Sequence, residues 1–270
     1  MKKRIFRGAS FILLTLSIPA IGWGIIDNSA LDKAKTEIKK QSVPTAVSNV
    51  ELFDQYVSEI YDSAKLNAAL LDYNVFKKAV TGYYNFKSSG KALGRPVISV
   101  VDFSKASTEK RIWIIDLEKK ALLFNTFVAH GQGSGDNYAT AFSNTTDSHQ
   151  SSLGFYITSN TYIGKHGLSL KLNGMDDGYN TNAYNRAVVV HGADYVSQEF
   201  INQRGRLGRS YGCPALPVAL TPSIIQAIKG HTVLFINGSD NDTYTSNYLD
   251  EQIAANLMVG AGSSLQAASL

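Results

Sequence analysis

Seven short apolar runs between residues 97 and 236 limit the folds open to this chain. They are rich in β-branched and aromatic residues, and lysine, glutamate and serine separate the first three, as in the turns of a meander. The runs cover 97–103, 111–116, 121–131, 154–158, 168–172, 187–192 and 232–236. This series predicts a mainly β domain of mostly antiparallel strands, interrupted by a helix or two.

Two helical patterns precede the apolar runs. Ser48 and Glu51 have the spacing of a capping box, and apolar residues at helical intervals follow over 52–61. A second helix is predicted after Asp72, with an inner face formed by Val75, Phe76, Ala79, Val80 and Tyr83. A short helix late in the chain is predicted with Thr221 as its N-cap, because Pro222 then occupies the first helical position.

These patterns divide the chain into five predicted segments. The first two are a signal peptide or N-terminal anchor at 1–26 and a polar linker at 27–47. The others are a small helical module at 48–93, the β domain at 94–238, and a flexible C-terminal tail at 239–270 that is rich in serine, asparagine and alanine and in which 248–259 has the pattern of a weak helix. The N-terminal assignment follows from four basic residues ahead of an uncharged apolar run at 8–26. Because that run is just long enough to cross a bilayer, it is either cleaved or retained as a membrane anchor.

The N-terminal segment also accounts for the positive charge of the chain. The chain has 26 basic and 22 acidic residues. Four basic and no acidic residues lie before Asp27, so 22 of each sign remain after it (26 − 4 = 22). This balance argues against nucleic acid or another anionic polymer as a partner held by bulk charge. The export signal predicts a periplasmic or cell-envelope protein, which is anchored to the inner membrane if the segment is retained.

Cys213 is the only cysteine. Exported proteins use structural cysteines in pairs, so an unpaired thiol is either buried and inert or reactive. Gly212 removes side-chain bulk beside the sulfur and Pro214 fixes the chain after it, whereas a buried cysteine is expected within a continuous apolar run. These neighbours favour a nucleophile, and a thiol near its ordinary pKa needs a base.

His191 is the predicted base because it ends an apolar strand at a rigid sheet edge. The segment 193–210, rich in glycine and arginine, is long enough to return the chain beside that strand end and is expected to be an exposed functional loop. His130 follows another apolar strand and is a rival base or a pocket residue, and His166 is expected in a loop or pocket. His149 and His231 are treated as incidental. No close histidine pair supports a metal site, and no metal or cofactor is predicted.

Several motifs occur in order along the chain: His130 to Gly135, Phe142 to Asn144, Ser151 to Tyr156 and Gly208 to Ala215. With His191-Gly192, a loop and Ser-Tyr-Gly-Cys, the chain resembles the murein L,D-transpeptidase catalytic-domain family over roughly residues 65 to 238. It departs from the commoner branch in a longer loop, in Tyr211 for a second histidine and in Ala215 for an arginine. These departures resemble a divergent branch of the family.

The resemblance implies an L,D-transpeptidase-like β-sandwich or barrel of mixed, mostly antiparallel strands, and it assigns roles to the site. Cys213 would be the nucleophile, His191 its base, and the Gly192 carbonyl would orient the imidazole. The backbone amides of Tyr211 and Gly212, with that of Cys213, would form the oxyanion hole.

Four further residues are candidate substrate-binding groups. Arg209 is a candidate clamp for a substrate carboxylate, with a solvated loop arginine as the equal alternative. Ser210 either contacts the same carboxylate or steadies the loop. His130 and His166 complete the predicted substrate-binding set.

The expected function is acyl transfer on peptidoglycan stem peptides through a thioester on Cys213, by a protein expected to be a monomer. Two alternatives stay open: an L,D-carboxypeptidase or other hydrolase of wall peptides with the same site, and a non-catalytic peptidoglycan-binding module.

Overall fold

The computed structural model describes residues 47–91, 93–239 and 244–267, and the side chains only as far as residue 260. The predicted signal peptide and, apart from Val47, the predicted linker lie outside the described residues. In the part of the chain that is described, no helix is both long and apolar enough to cross a bilayer.

Among the residues that the structure describes, eight strands form one mixed sheet. They are β1 (Val97–Asp102), β2 (Ile112–Asp116), β3 (Ala121–Thr126), β4 (Gly154–Gly164), β5 (Gly167–Gly174), β6 (Val189–Gly192), β7 (Ala215–Leu216) and β8 (Val233–Asn237). Their order is β3-β2-β1-β8-β4-β5-β6-β7. The β1–β8 and β6–β7 pairs are parallel and the remaining neighbours antiparallel. The predicted mainly β fold of mixed, mostly antiparallel strands is confirmed.

In the described part of the chain, five α-helices accompany the sheet: α1 (Asn49–Ser63), α2 (Tyr73–Ser88), α3 (Gln198–Arg204), α4 (Thr221–Ile228) and α5 (Glu251–Ala267). Single 3₁₀ turns cover Gln132–Ser134 and Asn247–Leu249. Both predicted N-caps of the first two helices are confirmed. The Ser48 hydroxyl accepts the Glu51 N–H at 3.2 Å, and the Glu51 carboxylate accepts the Ser48 N–H at 2.7 Å. Asp72 accepts the N–H groups of Asn74 and Val75.

The sheet is covered on both faces, which explains why its central strands are apolar throughout. Ile98 and Val100 of β1 point into a core shared with α1, α2 and α5. Val97 and Val101 point into a second core that α4 completes on the other face. The helices are tied to the sheet by polar contacts as well, because the Trp113 indole N–H of β2 donates to the Ala69 carbonyl at 2.8 Å.

The segment predicted as a flexible tail contains α5. The small residues Ala254 and Ala255 are fully buried and let α5 pack closely on α1 and α2. Before the helix, the buried Asp176 carboxylate accepts the hydroxyls of Tyr244 and Ser246 and so fixes the incoming chain. The weak apolar periodicity of an alanine- and serine-rich helix explains why the sequence pattern did not predict this packing.

The predicted N-cap of α4 is wrong. Thr221 is itself the first helical residue and Leu220 precedes the helix without a side-chain cap. The Thr221 hydroxyl instead donates to the Pro217 carbonyl at 2.9 Å. The Thr221 hydroxyl therefore bonds to the turn that precedes the helix and does not cap the helix, although the sequence pattern predicted that it would.

The segment 193–210 is more ordered than the predicted exposed loop. It contains α3, which begins after the Ser197 cap and ends at Gly205, whose φ of 72° is left-handed. Val196 and Leu207 are buried in a small core with Ala129 and Ala215. This core fixes the segment on both sides of α3, while most of the helix between them is exposed.

Candidate functional site

Cys213 and His191 line one cleft of about 730 Å³. The parallel β6–β7 pair sets their relative position, because His191 pairs with Ala215. Two residues back along both segments, the Val189 N–H donates to the Cys213 sulfur at 3.4 Å. The predicted nucleophile and the predicted base are therefore held by the same short strand, and Cys213 is partly exposed rather than sealed in the core.

The Cys213 thiol is neutral at neutral pH. Burial raises its pKa above the ordinary 9.0, while the Val189 N–H and the positive charges of Arg186 and Lys165 lower it less. A neutral thiol is a weak nucleophile, so reaction at neutral pH requires a group that removes its proton.

His191 is suited to that task. Burial lowers the pKa of its imidazole below 6.5, the Gly192 carbonyl raises it less, and the nearby His166 and Lys165 lower it further. The Nδ1 atom lies 2.9 Å from the Gly192 carbonyl oxygen. In the neutral ring, the tautomer that donates from Nδ1 leaves the lone pair of Nε2 free to accept a proton. The carbonyl thus has the orienting position that the resemblance implied for Gly192.

His166 lies directly beside this base. It occupies the β4–β5 turn and lines the cleft, and its ring stacks on that of His191 with centroids 4.4 Å apart. The structure thus places His166 in the pocket, where the sequence predicted a substrate-binding residue.

The backbone around Gly212 differs from the predicted oxyanion hole. The Gly212 N–H donates to the Ser210 hydroxyl at 3.1 Å, and that hydroxyl donates to the Cys213 carbonyl at 2.6 Å. The Gly212 amide is therefore already occupied, which does not fit the oxyanion role predicted for it. The described hydrogen bonds use neither the Tyr211 N–H nor the Cys213 N–H, so these two amides are the remaining donors.

Gly212 is required for a different reason. Its φ is +118°, and a Cβ on it would lie 2.7 Å from the Gln150 carbonyl oxygen. A Cβ on Gly131 would lie 2.8 Å from the Gly212 Cα. Three backbone segments therefore meet beside the nucleophile with no room for a side chain between them, and Ser151 bridges two of them by accepting the Gly131 N–H and donating to the Gly212 carbonyl.

Arg186 is a residue of the site that the sequence analysis missed. It lines the cleft, and its guanidinium donates to the Gln150 carbonyl at 2.7 Å and the Ser143 carbonyl at 2.7 Å. It also donates to the hydroxyls of Ser152 and Ser148. Arg186 thus holds the segment that packs on Gly212 and brings a positive charge near Cys213. Its position just before the β6 run was the one available signal.

Replacing Arg186 with methionine is expected to destabilise the protein and slow its thiol chemistry. Loss of the guanidinium leaves the Gln150 carbonyl without its donor and the Ser143 carbonyl with only the Ser152 hydroxyl, so the free energy of unfolding should fall by about 3 kcal/mol in urea denaturation. Alkylation of Cys213 by iodoacetamide at pH 7 should also slow, because the thiol pKa rises when the positive charge is removed.

Two further variants serve as controls for this prediction. Arg186→Lys should keep the charge and most of the alkylation rate while losing part of the stability, since ammonium cannot reproduce the planar fork. Arg204→Met, at an exposed position of α3, should leave both quantities unchanged. A stable Arg186→Met protein with an unchanged alkylation rate would contradict both roles.

Arg209 and Ser210 are engaged within the protein. Arg209 lines the cleft, donates to the Gly135 carbonyl at 2.9 Å and lies 3.3 Å from the Asp136 carboxylate. Ser210 is buried, and its hydroxyl bonds within the 210–213 turn. Of the two readings left open for Ser210, its geometry fits the serine that steadies the loop.

His130 does not line the cleft. It is 1% exposed, and the buried Arg111 donates to its Nδ1 at 2.7 Å. Burial and the Arg111 charge lower the pKa of His130 to about 3, so its ring stays neutral. The predicted substrate contact of His130 does not fit this position. Its backbone does contribute, because the His130 carbonyl accepts the Ser210 N–H at 3.0 Å.

The remaining histidines lie apart from the base. His149 stacks on the Tyr211 ring at the cleft, with centroids 4.3 Å apart. The exposed His231 precedes β8, where its backbone pairs with Thr158 and Gly94. Within the described residues, no group of three histidine, cysteine, aspartate or glutamate side chains could hold a metal ion.

A family model described as the L,D-transpeptidase catalytic domain matches residues 67–237, which include every residue of this cleft. The chain belongs to this family. Membership supports a peptidoglycan-modifying function and a place in the cell envelope. A comparison with curated proteins finds no match.

A comparison with solved structures finds matches at low sequence identity. The cell-shape-determining protein Pgp2 from Campylobacter jejuni is 14% identical, with a TM-score of 0.39 over 78% of this chain and 63% of that one. An L,D-transpeptidase from Mycobacterium smegmatis is 11% identical, with a TM-score of 0.35 over 54% and 60% of the two chains. One from Xylanimonas cellulosilytica is 13% identical, with a TM-score of 0.30 over 61% and 82%. The chain thus spans about three fifths of the Campylobacter and Mycobacterium proteins.

Proposed function

We propose that this member of the L,D-transpeptidase family is a cysteine acyltransferase of the cell envelope that acts on peptidoglycan stem peptides. The observation that carries the proposal is the shared cleft, in which one strand holds the Cys213 sulfur through Val189 and the neutral imidazole of His191. Because the thiol and the base are both neutral before the reaction, the base would remove the thiol proton as the sulfur attacks.

In the first half-reaction, His191 Nε2 takes the proton of the Cys213 thiol as the sulfur attacks a peptide carbonyl carbon. The carbon–sulfur bond forms, and the negative charge on oxygen is met by the free N–H groups of Tyr211 and Cys213. The imidazolium then gives its proton to the leaving nitrogen as the carbon–nitrogen bond breaks. The product is a thioester on Cys213 and a free amine.

In the second half-reaction, an acceptor amine attacks the thioester carbon and His191 takes a proton from that amine. The new carbon–nitrogen bond forms as the carbon–sulfur bond breaks, and the imidazolium returns the proton to the sulfur and restores the thiol. Amines attack thioesters more readily than water does, which favours cross-linking over hydrolysis. The described residues that line the cleft include the cations Lys165, Arg186 and Arg209 and no acidic residue. This sign of charge suits the carboxylates of the donor stem.

The residues outside the cleft have proposed roles as well. Residues 1–26 would carry the chain across or into the inner membrane, with 27–47 as a linker. The helical module at 48–93 would support the catalytic domain at 94–238, in keeping with its shared core. Peptidoglycan would be the partner of a monomeric protein that needs no metal or cofactor.

Incubation with disaccharide-tetrapeptides, followed by chromatography and mass spectrometry, tests the proposal. We expect cross-linked dimers and an acylated Cys213 in the intact protein. Release of terminal D-alanine without dimers would assign the same site to a carboxypeptidase. The absence of product and of any acyl adduct would overturn the proposal in favour of a peptidoglycan-binding module.

A further inference from the structure

Tyr211 presents an aromatic surface two residues before the nucleophile. Its side chain is 66% exposed and lines the cleft together with Cys213. One face of its ring is covered by the His149 ring, which lies nearly parallel to it at 18°. The opposite face carries no ring contact among the described residues. A half-covered aromatic ring of this kind offers one flat apolar face to a ligand.

Residues outside the 210–213 turn hold the stacked rings of Tyr211 and His149 in place. Gln132 Nε2 lies 3.1 Å from His149 Nδ1, and the Gln132 N–H donates to the Ser210 carbonyl beside Tyr211 at 2.8 Å. His149 has a φ of 54°, a left-handed conformation that non-glycine residues adopt at a cost. Its carbonyl accepts the Gly133 N–H at 3.0 Å, which helps to hold that conformation. The platform of Tyr211, His149 and Gln132 is thus ordered before any ligand arrives, and binding to it costs little entropy.

The positive charge of the cleft limits the chemical classes of ligand that the Tyr211 ring could bind. An ammonium group could also rest on a tyrosine ring, but Lys165 and Arg186 line the cleft and none of the described lining residues is acidic. The Asp136 that pairs with Arg209 lies outside the lining. A neutral ring with an apolar face and a polar rim suits the site better. A pyranose has this character, with C–H bonds for the tyrosine face and hydroxyls for the Gln132 amide.

We infer that the platform is a subsite for a sugar ring of the glycan strand that carries the stem peptide. The inference rests on the proposed function and names the part of the substrate that the protein would recognise beyond the peptide. In a tetrapeptide that loses its last residue, three residues separate the sugar from the scissile bond, or about 10 Å when extended. Tyr211 and Cys213 would then contact the two ends of one donor.

Binding to the full-length protein carrying Cys213→Ala tests the subsite without turnover. Isothermal titration calorimetry would compare a disaccharide-tetrapeptide with the same tetrapeptide lacking sugars. We expect the sugars to lower Kd about fivefold. In a Tyr211→Ala protein this difference should fall below about twofold, while the Kd of the sugar-free peptide changes little.

Three further variants define the source of the effect. Tyr211→Phe should keep the sugar preference, because the ring is retained. His149→Asn, which tolerates the left-handed backbone, should reduce it by removing the supporting ring. Tyr138→Ala removes a similarly exposed tyrosine outside the cleft and should leave the preference intact.

Equal Kd values for the two ligands would overturn the subsite, and so would a Tyr211→Ala protein that loses affinity equally for both. Neither result bears on the proposed acyl transfer, because that reaction is measured independently through the formation of dimers and of acyl-enzyme. A sugar preference that depends on Tyr211, in a wild-type protein that forms neither dimers, D-alanine nor acyl-enzyme, would overturn the proposed function and leave the subsite standing. Failure of both ligands to bind would overturn the subsite.

Discussion

Replacing Cys213 with alanine is expected to abolish acyl transfer, with kcat for stem-peptide turnover lowered by about four orders of magnitude or more. No other cysteine exists in the chain to take over the attack, and an alanine methyl group cannot form the thioester. Intact-mass spectrometry after incubation with disaccharide-tetrapeptides should show the acyl adduct only in the wild-type protein. Chromatography of the same samples should show dimers only there.

The fold should survive this change. The Cys213 sulfur accepts one long hydrogen bond from Val189 and lies 3.7 Å from the Ala187 carbonyl, so its removal should cost no more than about 1 kcal/mol of unfolding free energy. A melting temperature close to the wild-type value would separate loss of chemistry from loss of structure. Dimer formation by a folded alanine variant would rule out the cysteine mechanism.

Replacing His191 with alanine is expected to lower kcat/KM at pH 7 by about 10³-fold or more, and to change the pH dependence. In the wild type the base must be neutral. Because its pKa lies below 6.5, activity should persist at pH 6.5 and be lost only as the pH falls further. Without the base only thiolate reacts, and the thiol pKa is raised above 9.0. The variant rate should therefore climb about tenfold per pH unit between pH 6 and 9.

The gap between the two proteins should consequently narrow towards pH 10, which a purely structural defect would not produce. His231→Asn is the matched control, since it removes an exposed imidazole outside the cleft and asparagine tolerates the left-handed backbone found there. It should leave the kcat/KM profile unchanged. Parallel profiles for His191→Ala and the wild type would exclude His191 as the base.

The fold was predictable where local chemistry decides it. Ser48, Glu51 and Asp72 cap helices because their side chains reach amides within three residues, which sequence spacing reveals. The apolar runs became strands because two cores demand buried residues on both faces. The packing of Ala254 and Ala255 was not predictable, since small residues create a close contact only when a distant helix is already in place.

The residues of the site could likewise be predicted where their neighbours along the chain indicate their role, and not where distant residues determine it. Cys213 and His191 could be proposed as a pair from their neighbours along the chain, because Gly212 removes side-chain bulk beside the sulfur and Gly192 follows a strand end, and the structure places both on one cleft. Arg186 was missed because the groups that accept its hydrogen bonds lie 34 to 43 positions away in the sequence, and His149 because the Tyr211 ring on which it stacks is also remote in the chain. His130 was misplaced for a related reason: nothing in its own motif shows that Arg111 covers it.

The strand β6 has a consequence for how this site tolerates change along the chain. Val189 positions the sulfur through its backbone N–H and His191 supplies the imidazole, and a spacing of two residues puts both side chains on the face of the strand that lines the cleft. Inserting or deleting one residue between them would rotate the imidazole to the opposite face while leaving the sulfur contact in place. The site should therefore tolerate substitutions around this strand, but not a change in the number of residues between Val189 and His191.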